Sequence, residues 1–225
     1  MIPWTFLDSA HAPGNGGELK LYQRGAEFSI RVEKCELKNS RHYGSEDALA
    51  ELSCKKIASH PYPRVLIGGL GMGFTLRAAL NSLSSDAKVV IAELVPAVVV
   101  WNRGPLSALA GNPLKDPRVI VRESDVGEVM REKQNAYDAI MLDVDNGPEG
   151  LTRKSNDLLY GLNGLKIAYD ALRPGGVLAV WSAGTNDAFV KRLRKTGFTV
   201  DEVPVRSRGA RGGARYTVWL AQRGE

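Results

Sequence analysis

Acidic residues stand directly after several short apolar segments of this sequence. Glu93 follows AKVVIA, Asp125 follows RVIVRES, and Asp143 follows YDAIML. A carboxylate at the end of a buried strand can accept hydrogen bonds from a ligand, stabilise a nearby cation or take up a proton. Aspartate also favours turns for reasons of backbone geometry alone. Each acid therefore has both a chemical and a structural interpretation, and their shared position favours the chemical one.

A glycine-rich segment, VLIGGLGMGF, lies ahead of these acids and contains Gly69, Gly71 and Gly73. Glycine is needed where the backbone turns tightly and approaches a ligand closely. Glu93 follows Gly71 by 22 residues, a spacing typical of an acid that accepts hydrogen bonds from ribose hydroxyls. The segment departs from the G-x-G-x-x-G pattern of dinucleotide sites. Several acids on one rim favour a cationic ligand, such as a sulfonium nucleoside.

These residues need a common scaffold, and the hydrophobic pattern predicts one. From Arg64 onward, short apolar runs alternate with helical patterns, which is typical of a parallel sheet with helices on both faces. The last two runs, FTVDEVPV and ARYTVWLAQ, have no helix between them and predict an antiparallel pair. We therefore predict an α/β, Rossmann-like fold with a seven-stranded, mainly parallel sheet. Such sheets bind ligands outside the carboxyl ends of their strands.

The first sixty residues follow a different pattern. Alternating apolar and polar residues over 18–39 predict a β-hairpin or meander. The segment SEDALAELSCKKIA predicts a helix with Ser45 as its N-cap, and HPYP ends it. We predict two regions: an N-terminal β-rich region with a linking helix at 1–60, and a nucleoside-binding domain at 61–225.

Composition narrows the functional classes. Cys35 and Cys54 are too far apart for a C-x-x-C motif and the chain has three histidines, so we predict no metal site. No apolar run reaches the ~20 residues of a membrane span, and the first residues lack the pattern of a signal peptide. We expect a cytoplasmic protein without membrane contact. The formal net charge is +5, which is modest.

Part of the basic excess lies in RSRGARGGAR, at 206–215. Arginine can pair with phosphate oxygens. The segment has no aromatic residue between its arginines that could stack on bases. We therefore favour a mobile loop between two strands over a nucleic-acid site.

Longer motifs resemble the spermidine synthases, the polyamine aminopropyltransferases on the class I methyltransferase fold. The resemblance covers about residues 18–203 and is carried by HPYPRVLIGGLGMGFTLR, AELVPAVV, DPRVIVRESDV, YDAIMLD and LRPGGVLAV. It implies that the glycine turn contacts the nucleoside donor and that Glu93 holds the ribose hydroxyls. It also implies that Asp125 binds the adenine amino group and that Asp143 stands beside the reactive centre.

The sequence departs from the family mainly on the amine and aminopropyl side. Met72 stands where the family's glycine turn has an acid, and Val95 replaces an aspartate. The family's Tyr-His pair falls on Leu49 and Ala50. The loop after Asp143 is shorter than the family's by about two residues before its Gly-Pro pair. The nucleoside half therefore matches better than the polyamine half.

In the family's reaction a neutral amine attacks the carbon beside the sulfonium, and methylthioadenosine leaves. The resemblance implies decarboxylated adenosylmethionine or adenosylmethionine as co-substrate, a small-molecule amine or other nucleophile as acceptor, and a homo-oligomer, commonly a dimer. We predict Asp143 as the base. The expected acceptor contacts are Asp145, Tyr22, Gln23 and Glu51.

Two alternatives remain open from the sequence. An adenosylmethionine-dependent methyltransferase on the same fold would need no diamine anchors, and Met72 together with the lost Tyr-His pair favours it. A non-catalytic or nucleic-acid-directed module using the 206–215 segment ranks last, because the glycine turn and Glu93 are both present.

Overall fold

A computed structural model describes residues 2–13, 17–33, 35–144 and 159–225. The N-terminal part is a four-stranded antiparallel sheet in the order β1-β2-β3-β4. The predicted meander is thus confirmed and gains one strand that the pattern did not reveal, because no residue of β1 is buried. The strands are β1 Thr5–His11, β2 Glu18–Arg24, β3 Glu27–Val32 and β4 Cys35–Asn39.

The second sheet has seven strands in the order β10-β11-β9-β8-β5-β6-β7. β5 to β9 are parallel, whereas β11 is antiparallel to both β9 and β10. This confirms the predicted fold class, including the terminal antiparallel pair. The strands are β5 Arg64–Gly68, β6 Lys88–Ala92, β7 Val119–Arg122, β8 Tyr137–Leu142, β9 Leu172–Ser182, β10 Phe198–Arg206 and β11 Arg215–Arg223.

Helices connect the parallel strands, and their ends follow local sequence signals. The side chain of Asn186 caps one helix by accepting a hydrogen bond from the Phe189 backbone, and Gly197 ends the same helix with φ 109°. The described helices are α1 Gly44–Lys56, α2 Phe74–Ser82, α3 Pro96–Arg103, α4 Val126–Arg131, α5 Leu162–Ala171 and α6 Asp187–Thr196. None of them combines the length and apolar character needed to span a membrane.

The predicted N-cap of α1 is wrong. The N-cap residue is Tyr43, whose side chain makes no capping hydrogen bond, and Ser45 lies inside the helix. The Ser45 hydroxyl donates instead to the Glu46 carboxylate at 2.8 Å. The helix begins at Gly44, against which the backbone of the 206–215 segment packs closely.

That segment is tied to the start of α1. Gly44 N donates to Ser207 O at 2.8 Å, and a Cβ at Gly44 would lie 2.8 Å from the Arg208 carbonyl carbon. The Arg208 guanidinium lies 3.0 Å from the His42 ring nitrogen. The start of the segment therefore contacts the first residues of α1, and the mobile loop predicted from its composition stays a prediction.

Buried apolar side chains form one layer on each face of the large sheet. One cluster contains Ile67 and Met141, and the other contains Leu66 and Ile140, as expected for strand residues that alternate between faces. The first cluster also includes Leu21 from the small sheet, together with residues of α1. The two predicted regions therefore share a hydrophobic core, and a boundary near residue 60 stays a prediction.

A buried carboxylate anchors the linker that precedes the large sheet. Asp138, at the start of β8, is 2% exposed. It accepts hydrogen bonds from Arg64 N at 2.7 Å and from the Arg173 guanidinium at 2.8 Å. The His60 ring nitrogen lies 3.0 Å from its other oxygen. Asp138 thus has a structural role at the amino end of the strand whose carboxyl end leads to Asp143.

We predict that Asp138→Ala destabilises the protein by about 2 kcal/mol or more, because it leaves Arg173 and the Arg64 amide without their acceptor. Urea unfolding followed by circular dichroism measures the change. Asp201→Ala is the matched control, since Asp201 forms an exposed ion pair with Lys56 at 2.7 Å and such pairs contribute about 0–1 kcal/mol. Equal losses in the two variants would contradict the structural role of Asp138.

Candidate functional site

The carboxyl ends of the parallel strands form one rim. The hydrogen-bond ladder continues past the strands, with Gly69 N donating to Ala92 O at 2.9 Å and Asp143 N donating to Gly68 O at 3.0 Å. Glu93 N donates to Arg122 O at 2.9 Å. β5 lies between β6 and β8, where the strand order reverses. This is the position at which open α/β sheets bind ligands.

The glycine turn between β5 and α2 depends on left-handed backbone conformations. Gly69, Gly71 and Gly73 have φ values of 87°, 52° and 82°, a region that favours glycine. A Cβ on Gly69 would lie 2.7 Å from the Asp143 carbonyl oxygen. The Asn102 side chain donates to Gly71 O at 2.9 Å. The turn is therefore packed against the backbone of Asp143 and braced by α3.

Glu93 connects the glycine turn to the end of β6. Its carboxylate is buried, with one oxygen accepting from Leu70 N and the other from Val95 N, both at 2.8 Å. A carboxylate oxygen can accept more than one hydrogen bond. Glu93 can therefore shape the turn and still accept hydrogen bonds from ribose hydroxyls.

Asp125 lies on the same rim, after β7, and caps α4. Its Oδ1 accepts from Gly127 N at 2.8 Å and from Glu128 N at 3.3 Å. Its Oδ2 makes no hydrogen bond to any residue that the structure describes. The cap orients the carboxylate, so one oxygen has a structural role and the other can accept a hydrogen bond from a ligand.

Asp143 is a buried acid at the end of β8. Its side chain is 6% exposed. Oδ2 accepts from the Thr75 hydroxyl at 2.9 Å, and Oδ1 accepts from the Lys38 ammonium at 2.7 Å. Thr75 belongs to the first turn of α2, whereas Lys38 comes from β4 of the small sheet. Both parts of the chain therefore meet at this carboxylate.

Lys38 lies between two acids. Its Nζ is 2.7 Å from Asp143 Oδ1 and 3.6 Å from Glu46 Oε1, and it lies 5.5 Å from the centre of the Trp181 ring. Burial alone would lower the pKa of Lys38, but the charges of Asp143 and Glu46 outweigh it and raise that pKa above its ordinary value. Lys38 is therefore an ammonium group at neutral pH.

Glu46 shows the opposite balance. Burial raises the pKa of its carboxyl group, Lys38 acts against that shift, and the charge of Asp143 adds to it. Ser45 donates a hydrogen bond to the same carboxylate. The cluster thus contains one cation, Lys38, and two acids, Asp143 and Glu46, that both interact with it.

A small cleft opens beside this cluster. Among the predicted acids that the structure describes, only Asp143 lines it, and Met72 is also a lining residue. Asp145 lies outside the described residues. The lining is formed by Lys38, Asn39, Glu46, Leu70, Met72, Phe74 and Asp143.

The other predicted acceptor contacts lie elsewhere. The Tyr22 ring packs edge-on against Phe6 at 5.7 Å between centroids, and the Gln23 amide donates to Gly25 O at 2.9 Å. Glu51 is exposed on α1. None of the three lines the cleft, so their role in binding an acceptor stays a prediction.

Sequence reasoning missed Lys38 and Glu46. A lysine near the end of a half-exposed strand and a glutamate in the first turn of a helix both have ordinary surface interpretations. Glu46 and Glu51 share α1, but residues five positions apart point about 140° away from each other around the axis. Only the packing of α1 decides which acid faces the cleft. Among the described residues, no group of three potential ligands could hold a metal ion.

We predict that Gly69→Ala destabilises the protein more than Gly111→Ala. Both positions have a left-handed φ, 87° and 74°, but nothing lies within 4 Å of a Cβ at Gly111. The left-handed conformation alone costs about 1–2 kcal/mol, so any further loss at Gly69 reports the collision with Asp143. Urea unfolding measures both variants. Gly184→Ala, with neither strain nor contact, is the baseline, and equal losses at 69 and 111 would contradict the close approach.

Solved structures with the same fold include two spermidine synthases. The enzyme from Thermotoga maritima superposes with a TM-score of 0.76 at 18% identity, over 97% of this chain and 73% of that one. A spermidine synthase in complex with the transition state analogue AdoDATO gives 0.78 at 19% identity, over 97% and 74%. The CurJ carbon methyltransferase gives 0.57 at 17% identity, over 80% and 54%. At these identities the likeness establishes the fold.

Sequence comparison establishes the family. Polyamine aminopropyltransferase 1 of Streptomyces coelicolor (strain ATCC BAA-471 / A3(2) / M145) is 28% identical over 155 residues, which are 65% of this chain. The match spans only 28% of the length of that relative. The spermine/spermidine synthase domain matches residues 51–192, which include Glu93, Asp125 and Asp143. The predicted resemblance is confirmed: the chain belongs to the spermine/spermidine synthase family.

Proposed function

We propose that this protein is a transferase that binds a sulfonium nucleoside at the rim and moves an aminopropyl group from decarboxylated adenosylmethionine to an amine. The observation that carries the proposal is the environment of Asp143. This buried carboxylate holds an alkylammonium group at 2.7 Å beside an aromatic ring, next to the glycine turn. A site that holds the ammonium of Lys38 has the chemistry needed to bind a cationic centre or an amine.

The donor would lie along the rim. Glu93 would accept hydrogen bonds from the ribose hydroxyls, and Asp125 would accept one from the adenine amino group through Oδ2. The glycine turn, without side chains at Gly69 and Gly71, would let the nucleoside approach the backbone. The negative side chains at the strand ends would favour a sulfonium cation.

Transfer needs a neutral amine. In the proposed reaction, the nitrogen lone pair forms a bond to the methylene carbon next to sulfur, the carbon–sulfur bond breaks, and methylthioadenosine leaves with the bonding electrons. The amine nitrogen then carries an extra proton, which Asp143 accepts. Thr75, which donates to Asp143 Oδ2, would keep the carboxylate oriented, and Oδ1 would accept the proton through the lone pair that the Lys38 ammonium does not use.

A methyltransferase is the second candidate, and two observations favour it. The apolar residue Met72 lines the cleft, and Lys38 already balances the charge of Asp143. Both features weaken the recognition of a dicationic acceptor. A methyltransferase would use intact adenosylmethionine on the same rim.

Donor preference separates the two candidates. We expect the protein to bind methylthioadenosine, and to bind decarboxylated adenosylmethionine at least tenfold more tightly than adenosylmethionine, as measured by isothermal titration calorimetry. Incubation of the protein with the decarboxylated donor and either putrescine or 1-aminobutane should release methylthioadenosine. Chromatography measures this release. A preference for adenosylmethionine, with no methylthioadenosine released from either amine, would reject aminopropyl transfer and support methyl transfer.

Asp143→Asn tests the proposed base. An amide cannot accept the proton, so we expect kcat to fall by about a hundredfold or more, while the Kd for methylthioadenosine changes by no more than several-fold. Asp47→Asn is the matched control. Asp47 forms a partly buried ion pair with Arg77 at 2.6 Å on the same layer of helices, so this variant should keep its kcat. Unchanged kcat in Asp143→Asn would leave Asp143 with a structural role.

A further inference from the structure

We propose that Lys38 selects the acceptor, because its ammonium lies between Glu46 and Asp143 and fills the acidic part of the cleft that the second charged end of a diamine would otherwise take. The acceptor that fits is then a primary amine without a second cationic centre. This inference rests on the proposed function, and it assigns the specificity of the site to the small N-terminal sheet.

The geometry first shows that Lys38 fills the acidic part of the cleft. Its Nζ contacts Asp143 at 2.7 Å and Glu46 at 3.6 Å, and these are the only two acids in the described lining of the cleft. Trp181 covers a further side of the ammonium, with its ring centre at 5.5 Å. Within the part of the chain that the structure describes, both acids of the cleft that could recognise a distal ammonium are therefore already engaged.

Electrostatics then disfavours a second cation. Two like charges about 4 Å apart repel each other much more strongly in a partly buried site than in bulk water, because the effective dielectric constant there is lower. The side chain of Lys38 is 23% exposed and that of Asp143 is 6% exposed, so water screens the repulsion only in part. A diamine whose distal ammonium entered this cleft would have to displace Lys38 or bear this repulsion. A monoamine, or an amine with a carboxylate tail, would not.

Lys38 cannot itself be the acceptor in this state. A protonated amine has no lone pair with which to attack carbon, and the two acids hold Lys38 in its protonated form. Its role is therefore that of a fixed cation in the substrate pocket.

Acceptor binding tests the inference without requiring turnover. The probes are three amines with the same four-carbon length: putrescine, 1-aminobutane and 4-aminobutanoate. Calorimetry measures their Kd values with and without saturating methylthioadenosine. In the wild type we expect both 1-aminobutane and 4-aminobutanoate to bind more tightly than putrescine. Lys38→Met should shift the ratio of Kd values toward putrescine by at least tenfold, because Asp143 and Glu46 become available.

Three further variants separate selectivity from folding. Lys38→Met leaves two buried acids without a cation, so the double variant Lys38→Met/Glu46→Gln removes one charge and should fold while keeping the shift toward putrescine. Lys38→Arg retains the cation and should keep the wild-type preference. Lys20→Met is the matched control, since Lys20 lies in the same sheet and forms a surface ion pair with Glu18. Its ratio of Kd values should equal that of the wild type.

The outcomes of the two proposals are distinct. If methylthioadenosine fails to bind, the proposed function fails, whereas a shift of the amine ratio in Lys38→Met still supports the role of Lys38. If methylthioadenosine binds but the amine ratio is unchanged in both Lys38→Met variants, Lys38 does not select the acceptor. Wild-type binding of putrescine as tight as that of 1-aminobutane, or no binding of any amine to any variant, would also overturn the inference.

Discussion

The ion pair between Lys38 and Asp143 joins the two sheets at the place where chemistry is expected. Its partners are 105 residues apart in the chain and 2.7 Å apart in space. Both lose water on folding, which by itself disfavours their charges, and the short contact compensates for that loss. Such a pair adds little net stability against a well-packed apolar pair, but removing one partner alone is costly. The arrangement is therefore better explained by the shape and charge of a site than by stability.

The large sheet supplies the other half of the site through its parallel register. Because β5, β6, β7 and β8 run in the same direction and end at matched positions, the residues that follow them reach one rim. Backbone hydrogen bonds from Gly69, Glu93 and Asp143 then fix the start of each loop. The donor-side residues thus belong to rigid element ends, which suits a site that must orient a nucleoside.

The proposed donor contacts and the proposed acceptor contacts come from different parts of the fold. Residues at the strand ends of the large sheet carry the proposed donor contacts. The small sheet and α1, which contribute Lys38 and Glu46, carry the proposed acceptor contacts. A change in the small sheet can therefore alter the acceptor without disturbing the nucleoside side. This agrees with a sequence whose motifs match the family better on the donor side than on the polyamine side.

The sequence by itself determined the fold class, the terminal antiparallel pair and the placement of Gly69, Glu93, Asp125 and Asp143 on one rim. These features follow from local rules: the alternation of apolar runs, glycine at left-handed turns, and loops that begin where strands end. It did not reveal β1, because none of the residues of this strand is buried and the strand therefore shows no alternation of apolar and polar residues. It also assigned the cap of α1 to Ser45, because a local rule could not register the backbone that packs against Gly44.

Only the tertiary structure decided what faces Asp143. Lys38 reaches it from β4, and the rotation of α1 brings Glu46 to Lys38. Neither placement has a local signal, since a lysine and a glutamate at such positions are equally suited to solvent. The physical reason is that burial of a charge depends on partners far away in the chain. The sequence can therefore indicate a nucleoside site, while the charge balance of its acceptor pocket is set by packing.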